Sequence, residues 1–325
     1  MEKDTLINAI KASQIHKKTN YYIRDIIKPG IKLKDIAQLI ENKINTEILF
    51  NKNNPLNAGI AFPVGLSLNN CAAHYTPNYN ETDIILKDSD ILKIDYGTQI
   101  NGVIIDSAFT LHFDSKYDKF IQISKDITNY AVSLSGPDVI LGELGNDIEE
   151  YIKSKEIEID NKTFQLKTMK DLSGHLISKY EIHAGKAVPN IGIYYPVRMK
   201  EFEFYAIEPF ITTGEGNSIL KEPKSHFMLS KNNDKINIDN LNNETMLLYN
   251  IIKKNYDKLP FCQRWLYDIN KDLDHTNLLK DLENKKIINS YPPIYDIENS
   301  IISQFEHTIF IKENGIIKLT ENNFY

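Results

Sequence analysis

Two aspartates, Asp95 and Asp106, interrupt apolar runs that are typical of β-strands. The runs are Ile91–Tyr96 and Val103–Phe113, and both are rich in branched and aromatic residues. The Asn101-Gly102 pair between them favours a tight hairpin turn, which predicts that the two carboxylates come to lie side by side. Burying an ionised carboxylate is costly unless a cation or hydrogen bonds compensate it. A pair of them implies either a shared proton or a bound metal ion.

The aspartates also have a purely structural interpretation. One of them could cap a turn while the other forms a buried ion pair, and such pairs perturb ionisation as functional sites do. Taken alone, the two residues fit this interpretation as well as they fit a metal site. A decision between the two therefore needs further ligand-type residues.

Three more ligand-type residues occur in similar apolar surroundings. They are His175 in Ser173-Gly-His175, Glu208 at the end of Tyr205-Ala-Ile-Glu208, and Glu306 in Gln304-Phe-Glu306. Four acids and one histidine favour a common cation centre, and oxygen-rich ligation suits divalent Mn, Co, Fe or Zn. Two such ions about 3.5–4 Å apart can stabilise a tetrahedral intermediate, so the set predicts hydrolytic chemistry. This reasoning leaves the substrate open.

Composition sets broad limits on the class of protein. The chain has 325 residues, 42% of them hydrophobic, and a net charge of −6, which is typical of a globular protein without a dedicated nucleic-acid surface. We therefore expect no direct nucleic-acid binding. The two cysteines are expected to be reduced. The charged N-terminus and the absence of a long apolar run predict a cytoplasmic protein that is not a membrane protein.

Periodicity predicts the elements that must position these residues. Two helices are expected in the first fifty residues, separated by Pro29-Gly30, and further helices at about 116–134 and 144–154. Strands are expected around 164–169, 175–183 and 203–210, and a hairpin at 301–319 with its tip at 313–315. The stretch 222–290 is polar at first and then helical, and it separates two β-rich parts. We therefore predict one catalytic domain over 1–325 with an inserted helical subdomain at 222–290.

At these positions the sequence closely resembles the type 2 methionine aminopeptidases, almost from end to end. The stretches that carry the resemblance are Phe62-Pro-Val-Gly, Leu68-Asn-Asn-Cys-Ala-Ala-His74-Tyr-Thr-Pro-Asn78, Lys93-Ile-Asp95-Tyr-Gly-Thr, Gly102-Val-Ile-Ile-Asp106, Gly174-His175, Ile182-His183-Ala-Gly-Lys, Tyr205-Ala-Ile-Glu208, Ser225-His226-Phe-Met, Tyr291-Pro-Pro and Gln304-Phe-Glu306-His-Thr. The family implies an α+β pita-bread fold, in which a curved antiparallel sheet is flanked by helices in two pseudo-symmetric halves. It also implies a helical insertion in the second half.

The resemblance further implies a function and a ligand set. The function is co-translational removal of the initiator methionine from nascent chains with a small second residue. Two divalent metal ions would be bound, with Asp106 and Glu306 bridging them, Asp95 on one ion, and His175 and Glu208 on the other. The resemblance also favours a monomer.

Roles in catalysis and substrate binding follow from the same resemblance. Glu208 is expected to act as the general base or proton shuttle, a role that its position at the metal edge would permit. His74 is expected to contact the substrate, and His183 to hydrogen-bond to the scissile amide. An apolar pocket for the methionine side chain, whose thioether suits aromatic walls, is expected to be lined by Phe62, Ile182, Phe210, His226 and Tyr291.

The sequence departs from the family in two places. Family members from higher eukaryotes carry a long charged N-terminal extension linked to ribosome-related binding, whereas this chain begins almost at the catalytic domain. The ribosome is a candidate partner, but we do not expect binding through such an extension. The loop Ile191–Pro196 also lacks the glycine-rich character of the family.

Two other functions are compatible with parts of the pattern. A prolidase or aminopeptidase P shares the order of the five ligands but lacks the context around His74. A non-catalytic pita-bread protein that binds RNA or other proteins would typically lose ligands and gain basic segments. Neither of these features is present in this acidic chain with all five ligand residues.

Overall fold

The N-terminal part of the computed structural model contains two helices, as predicted. The model describes residues 2–231, 238 and 240–321. Helix α1 spans Glu2–Ile26 and α2 spans Leu33–Glu47. Between them the chain turns at Gly30, whose φ of 96° is readily adopted by glycine. The apolar residues of α2 recur every three or four positions and are buried, so the helix packs one face against the sheet.

A three-stranded antiparallel sheet follows, with the strand order β1-β3-β4. Its strands are β1 (Ala58–Leu68), β3 (Leu92–Ile100) and β4 (Val103–Leu111), and a short β2 (Cys71–Ala73) lies between β1 and β3. The turn from β3 to β4 has positive φ at both Asn101 (50°) and Gly102 (79°). A two-residue hairpin turn of type I′ requires this, so the predicted hairpin is confirmed.

Two helices and eight short strands come next in the chain. After a 3₁₀ turn at Ser115–Tyr117, helix α3 spans Asp118–Leu134 and α4 spans Leu141–Lys153, close to the predicted ranges. The strands are β5 (Glu156–Ile159), β6 (Lys162–Gln165), β7 (Lys167–Thr168), β8 (Ser173–Ile177), β9 (Ala187–Pro189), β10 (Phe204–Ile207), β11 (Phe210–Thr212) and β12 (Ile219–Leu220). The strand predicted around 175–183 is wrong beyond Ile177, because the chain turns there through Tyr180 at a φ of 59°.

The stretch 222–290 contains short strands as well as the predicted helices. Its elements are β13 (His226–Leu229), α5 (Asn243–Asn255), β14 (Phe261–Cys262), α6 (Gln263–Ile269), α7 (His275–Asn284) and β15 (Ile288–Tyr291). The strands pair in the order β14-β13-β15, and the helices share an apolar cluster of their own. Residues 232–237 and 239 of the predicted polar part lie outside the described residues, as do 1 and 322–325 of the predicted domain 1–325. The insertion and the single domain stay predictions.

The C-terminal strands complete a five-stranded sheet. The last four strands are β16 (Ile294–Tyr295), β17 (Ile302–Gln304), β18 (His307–Ile311) and β19 (Ile316–Lys318). Of these, β18 and β19 join the five-stranded sheet β19-β18-β10-β8-β9, whereas β16 and β17 belong to the sheets β12-β16-β2 and β17-β11-β7. Gly315 at the tip of the last hairpin has a φ of 89°, as the predicted Asn-Gly turn requires. The strand pairs that the structure describes are antiparallel, so the fold is α+β as predicted.

The two main sheets meet where β4 runs alongside the start of β18. The hydroxyl of Ser107 donates a hydrogen bond to the carbonyl oxygen of Glu306 at 2.7 Å, and that of Thr308 donates to the carbonyl of Asp106 at 2.6 Å. One apolar cluster extends from α1 and α2 through β3 and β4 to α3, α4 and β18. The core is therefore shared by both halves. No helix among the described residues is both long and apolar enough to span a lipid bilayer.

A buried ion pair joins the 222–290 stretch to α2. Arg264 on α6 donates two hydrogen bonds to Glu41, at 2.6 and 2.8 Å, and the side chains of Arg264 and Glu41 are only 3% and 11% exposed. The indole of Trp265 also donates to Glu41, and Arg264 reaches the hydroxyl of Thr76. This pair links α2, α6 and the segment after β2.

We expect Glu41→Gln to lower the free energy of unfolding by about 3 kcal/mol, because it leaves the buried guanidinium without its counter-charge. Glu47→Gln on the same helix is the matched control, since Glu47 pairs with two lysines near the surface and should cost less than about 1 kcal/mol. Urea unfolding monitored by circular dichroism measures both. Equal losses in the two variants would contradict a special role for the buried pair.

Candidate metal centre

The first two predicted ligands lie on one face of the β3–β4 hairpin. Asp95 is paired with Ala108, and Asp106 is paired with Gly97. The two aspartates are thus diagonal neighbours, two residues apart across the ladder, and their side chains point to the same side. Their carboxyl groups interact directly. The hairpin predicted from the sequence therefore brings them together as expected.

His175 and Glu208 are brought together in a similar way in the second sheet. His175 on β8 is paired with Ala206 on β10, and Glu208 follows two residues later, directly after that strand. The Nε2 atom of His175 lies 3.3 Å from a carboxylate oxygen of Glu208 and 3.5 Å from one of Asp106. The imidazole of His175 on the second sheet therefore lies within 3.5 Å of the carboxylate of Asp106 on the first.

Glu306 enters from the connection between β17 and β18. Its backbone N–H donates to the carbonyl of Ala108 at 3.0 Å, which fixes it beside β4. One potential ligand atom each of Asp106, His175 and Glu306 lies within 4.8 Å of the others. The structure therefore brings all five predicted ligand residues to one place, although they are spread over more than two hundred residues of sequence.

The electrostatics of this cluster call for a cation. Burial raises the pKa values of Asp95, Asp106, Glu208 and Glu306, and for Asp95, Asp106 and Glu306 the neighbouring carboxylates raise them further. One oxygen of each aspartate and both of Glu306 are buried and receive no hydrogen bond from the described residues. Burial lowers the pKa of His175 to about 4, which keeps its imidazole neutral, as a metal ligand must be. The donor set fits a divalent ion.

A cavity of about 460 Å³ opens beside the cluster. It is lined by all five residues that were predicted to contact a methionine side chain, namely Phe62, Ile182, Phe210, His226 and Tyr291. The ring of Phe62 occupies the space that a side chain at Gly97 would need, since a Cβ there would lie 2.4 Å from the ring. Gly97 thus allows the cavity wall to approach the strand that carries Asp95.

His74 lies in this cavity, directly after β2. Its φ is 64°, and its ring centroid is 5.9 Å from those of both His226 and Tyr291. The hydroxyl of Ser225 donates to its carbonyl oxygen at 3.1 Å and accepts from the N–H of Thr76. Burial, aided by the nearby His183, lowers the pKa of His74 to about 4, so its ring is neutral at neutral pH.

His183 lies in the loop between β8 and β9 rather than in a strand. It lines the same cavity, and its ring stands edge-on to that of His175 with the centroids 4.3 Å apart. The residue is exposed, and its carbonyl oxygen accepts a hydrogen bond from Lys231 at 3.0 Å. Its position at the open side of the centre is compatible with contact to a substrate.

Gln304 belongs to the site, although no role was predicted for it. Its buried amide nitrogen donates to Asp95 at 3.3 Å and to Glu208 at 3.1 Å, and so bridges carboxylates of the two sheets. A signal was available, because residues two apart in an extended segment face the same side. Gln304 precedes Glu306 by two positions.

Lys93 is a second residue whose position was not anticipated. It is fully buried in the cavity wall, two residues before Asp95, and donates to the carbonyl oxygen of Asn69 at 2.7 Å. Burial lowers the pKa of its ammonium to about 7. The lysine therefore fixes the segment that leads into β2 and His74.

A family model and several solved structures match this chain. The family model described as Metallopeptidase family M24 matches residues 8–231. A thermophilic Arx1 has a similar structure, with a TM-score of 0.82 at 16% identity over 99% of this chain and 92% of that one. The methionine aminopeptidase of Rickettsia prowazekii gives 0.66 at 20% identity over 98% of both chains. These likenesses confirm the predicted pita-bread fold.

Sequence relatives narrow the class further. Methionine aminopeptidase 2 of Encephalitozoon intestinalis is 37% identical over 99% of this chain and 88% of that protein. Methionine aminopeptidase 2 of Dictyostelium discoideum is 39% identical over 97% of this chain and 70% of that protein. The chain belongs to metallopeptidase family M24 and, within it, to the type 2 methionine aminopeptidases. The resemblance seen in the sequence is thereby confirmed.

We expect Gln304→Leu to weaken the binding of divalent metal by about tenfold to a hundredfold, because the amide orients carboxylates that belong to two different sheets. Titration calorimetry of Mn²⁺ or Co²⁺ into the metal-free protein measures this. Gln263→Leu is the control, since Gln263 on α6 is also buried but donates its hydrogen bond to Thr276 on α7. Unchanged affinity in Gln304→Leu, or an equal loss in both variants, would contradict the role.

Proposed function

We propose that this protein removes the N-terminal methionine from polypeptides whose second residue is small. The observation that carries the proposal is a cluster of four carboxylates and one imidazole, buried except for the partly buried Asp95, beside a cavity of about 460 Å³. The cluster suits hydrolysis, and the cavity provides room for one apolar side chain. The relatives named methionine aminopeptidase 2 support the same substrate.

The proposed cofactor is a pair of divalent ions of the class Mn, Co, Fe or Zn. Asp106 and Glu306 would bridge them, with Asp95 on one ion and His175 and Glu208 on the other. Four carboxyl groups within one site exceed what a single divalent charge would balance, which supports a pair. When bound, the ions would supply Lewis acidity at an amide carbonyl and at the attacking water.

The remaining polar groups are proposed to handle protons and orient the substrate. Glu208 lines the cavity, and its position at the edge of the ligand cluster suits a general base or proton shuttle. His74 and His183 flank the same space, and a neutral imidazole can donate with one nitrogen and accept with the other. His183 would hydrogen-bond to the scissile amide, and His74 would also contact the substrate.

The cavity is proposed to recognise the methionine side chain. Phe62, Phe210 and Tyr291 provide aromatic walls, which a polarisable thioether contacts favourably. Ile182 and His226 complete the lining. Preference for a small second residue would follow from steric restriction between the cavity and the metal centre.

The proposed reaction also indicates where the protein acts. Initiator methionine is present at the N-termini of nascent polypeptides, so we infer that these are its substrates and that it acts in the cytoplasm. Contact with the ribosome would bring the enzyme close to such chains. The predicted monomeric state stays a prediction.

The substrate class is tested by comparing Met-Ala-Ser with X-Pro peptides after loading with divalent metal. We expect cleavage of Met-Ala-Ser, little cleavage of X-Pro peptides, and rates that fall as the second residue grows from Gly to Val to Leu. A preference for X-Pro peptides would instead identify a prolidase-type enzyme. Metal-loaded protein that cleaves neither class would sink the proposed activity.

Asp106→Ala and Glu306→Ala should each reduce the turnover of Met-Ala-Ser by more than about a hundredfold, because each removes a proposed bridge between both ions. Asp88→Ala, which alters an exposed acid outside the site, should leave turnover unchanged. Circular dichroism would show that the variants are folded. Near-normal turnover in either site variant would refute the ligand assignment.

His74→Asn should lower kcat for Met-Ala-Ser by about a hundredfold, within the range of groups that transfer protons or orient the reacting amide. Metal content, measured by atomic emission, should stay at the level of the unmodified protein, because His74 is proposed to contact substrate and not metal. Loss of metal from this variant would show that the role of His74 is misassigned.

A further inference from the structure

A second groove, of about 670 Å³, lies on the outer surface beside the N-terminal half of α4. Its other wall is the loop Ile191–Pro196, the segment whose sequence departs from the glycine-rich version of the family. Nothing in the proposed reaction uses this groove, and the residues that line the catalytic cavity are a different set. Any function of this groove is therefore separate from the proposed reaction.

The loop is held to the helix by direct backbone contacts. The N–H of Gly142 donates to the carbonyl of Tyr195 at 3.1 Å, and a Cβ at Gly142 would lie only 2.5 Å from the carbonyl oxygen of Ile193. A Cβ at Gly145 would meet the carbonyl oxygen of Ile191 at the same distance. The N–H of Gly192 also donates to the carboxylate of Glu149. These contacts fix the backbone of the loop against α4.

This fixed backbone presents two large apolar side chains to solvent. Tyr194 is 95% exposed and Ile193 is 48% exposed, and both line the groove. Tyrosine is enriched in protein interfaces because its ring adds contact area at a small cost in conformational entropy. A tyrosine held on an anchored loop is thus well suited to bind a partner.

The opposite wall of the groove carries negative charge. Glu143 and Asp147 are four residues apart and lie on the same face of α4. Neither carboxylate forms an ion pair or a side-chain hydrogen bond within the described part of the chain, whereas Glu149 pairs with Lys153. No lysine or arginine is among the described residues that line the groove.

We propose that this groove binds a Lys/Arg-rich segment of a partner protein. One cationic side chain would stack on the face of Tyr194, where guanidinium and ammonium groups bind favourably. A second would lie between Glu143 and Asp147. The paired carboxylates disfavour a nucleic acid, because its phosphates would be repelled. The surface lies outside the catalytic machinery and does not depend on the proposed activity.

The test uses the full chain and an N-acetylated, fluorescein-labelled decapeptide of alternating arginine and alanine, whose blocked N-terminus prevents its use as a substrate. Fluorescence anisotropy at low salt gives the Kd. We expect Glu143→Gln/Asp147→Asn to raise the Kd about tenfold and Tyr194→Ala to raise it about threefold. Added salt should weaken binding to the unmodified protein.

The matched control is Glu156→Gln/Glu158→Gln, which removes the same charge from exposed acids on β5, beyond the far end of α4. It should leave the Kd unchanged, and all variants should cleave Met-Ala-Ser at the same rate as the unmodified protein. Equal weakening by the control pair would overturn the proposal, since it would indicate attraction by net charge alone. A labelled oligonucleotide that binds and is released by Tyr194→Ala would also overturn it.

Discussion

The structure depends on the confinement of four carboxyl groups to one buried site. Such a cluster is unfavourable by itself, because burial and mutual repulsion both oppose ionisation. The amide of Gln304 donates to two of these carboxylates, Asp95 and Glu208, and several of the carboxylate oxygens receive no hydrogen bond from the described residues. The cluster therefore destabilises the folded chain locally, and a bound cation would relieve this destabilisation. The same property makes the cluster suited to bind divalent metal.

Antiparallel strand pairing brings residues that are far apart in the sequence together in this cluster. Asp95 and Asp106 share a face because the hairpin turn fixes the ladder, and His175 and Glu208 share a face through the pairing of β8 with β10. The two sheets are then joined by hydrogen bonds from Ser107 and Thr308. A slip of one residue in either ladder would turn its ligands away from the centre. The shared apolar core holds both registers in place.

The stretch 222–290 contributes to the site through packing rather than through ligands. His226 and Tyr291 come from its paired strands β13 and β15, and both line the cavity. Ser225 fixes the carbonyl of His74, and Arg264 ties the same neighbourhood to Glu41 on α2. The stretch therefore forms one wall of the cavity beside the ligand cluster and holds His74 in place. Without these contacts the segment after β2 would lose several of its hydrogen-bond partners.

Sequence by itself determined the helices, the main strands and the ligand residue types, because these follow from local periodicity, turn residues and the cost of burying charge. The Asn101-Gly102 hairpin and its two aspartates could be predicted for this reason. Tertiary structure alone decided that His183 lies in a loop and that Gln304 bridges two sheets. It also decided that Tyr194 projects into solvent beside Glu143 and Asp147. These features depend on contacts between residues far apart in the chain, and no local pattern encodes such distances.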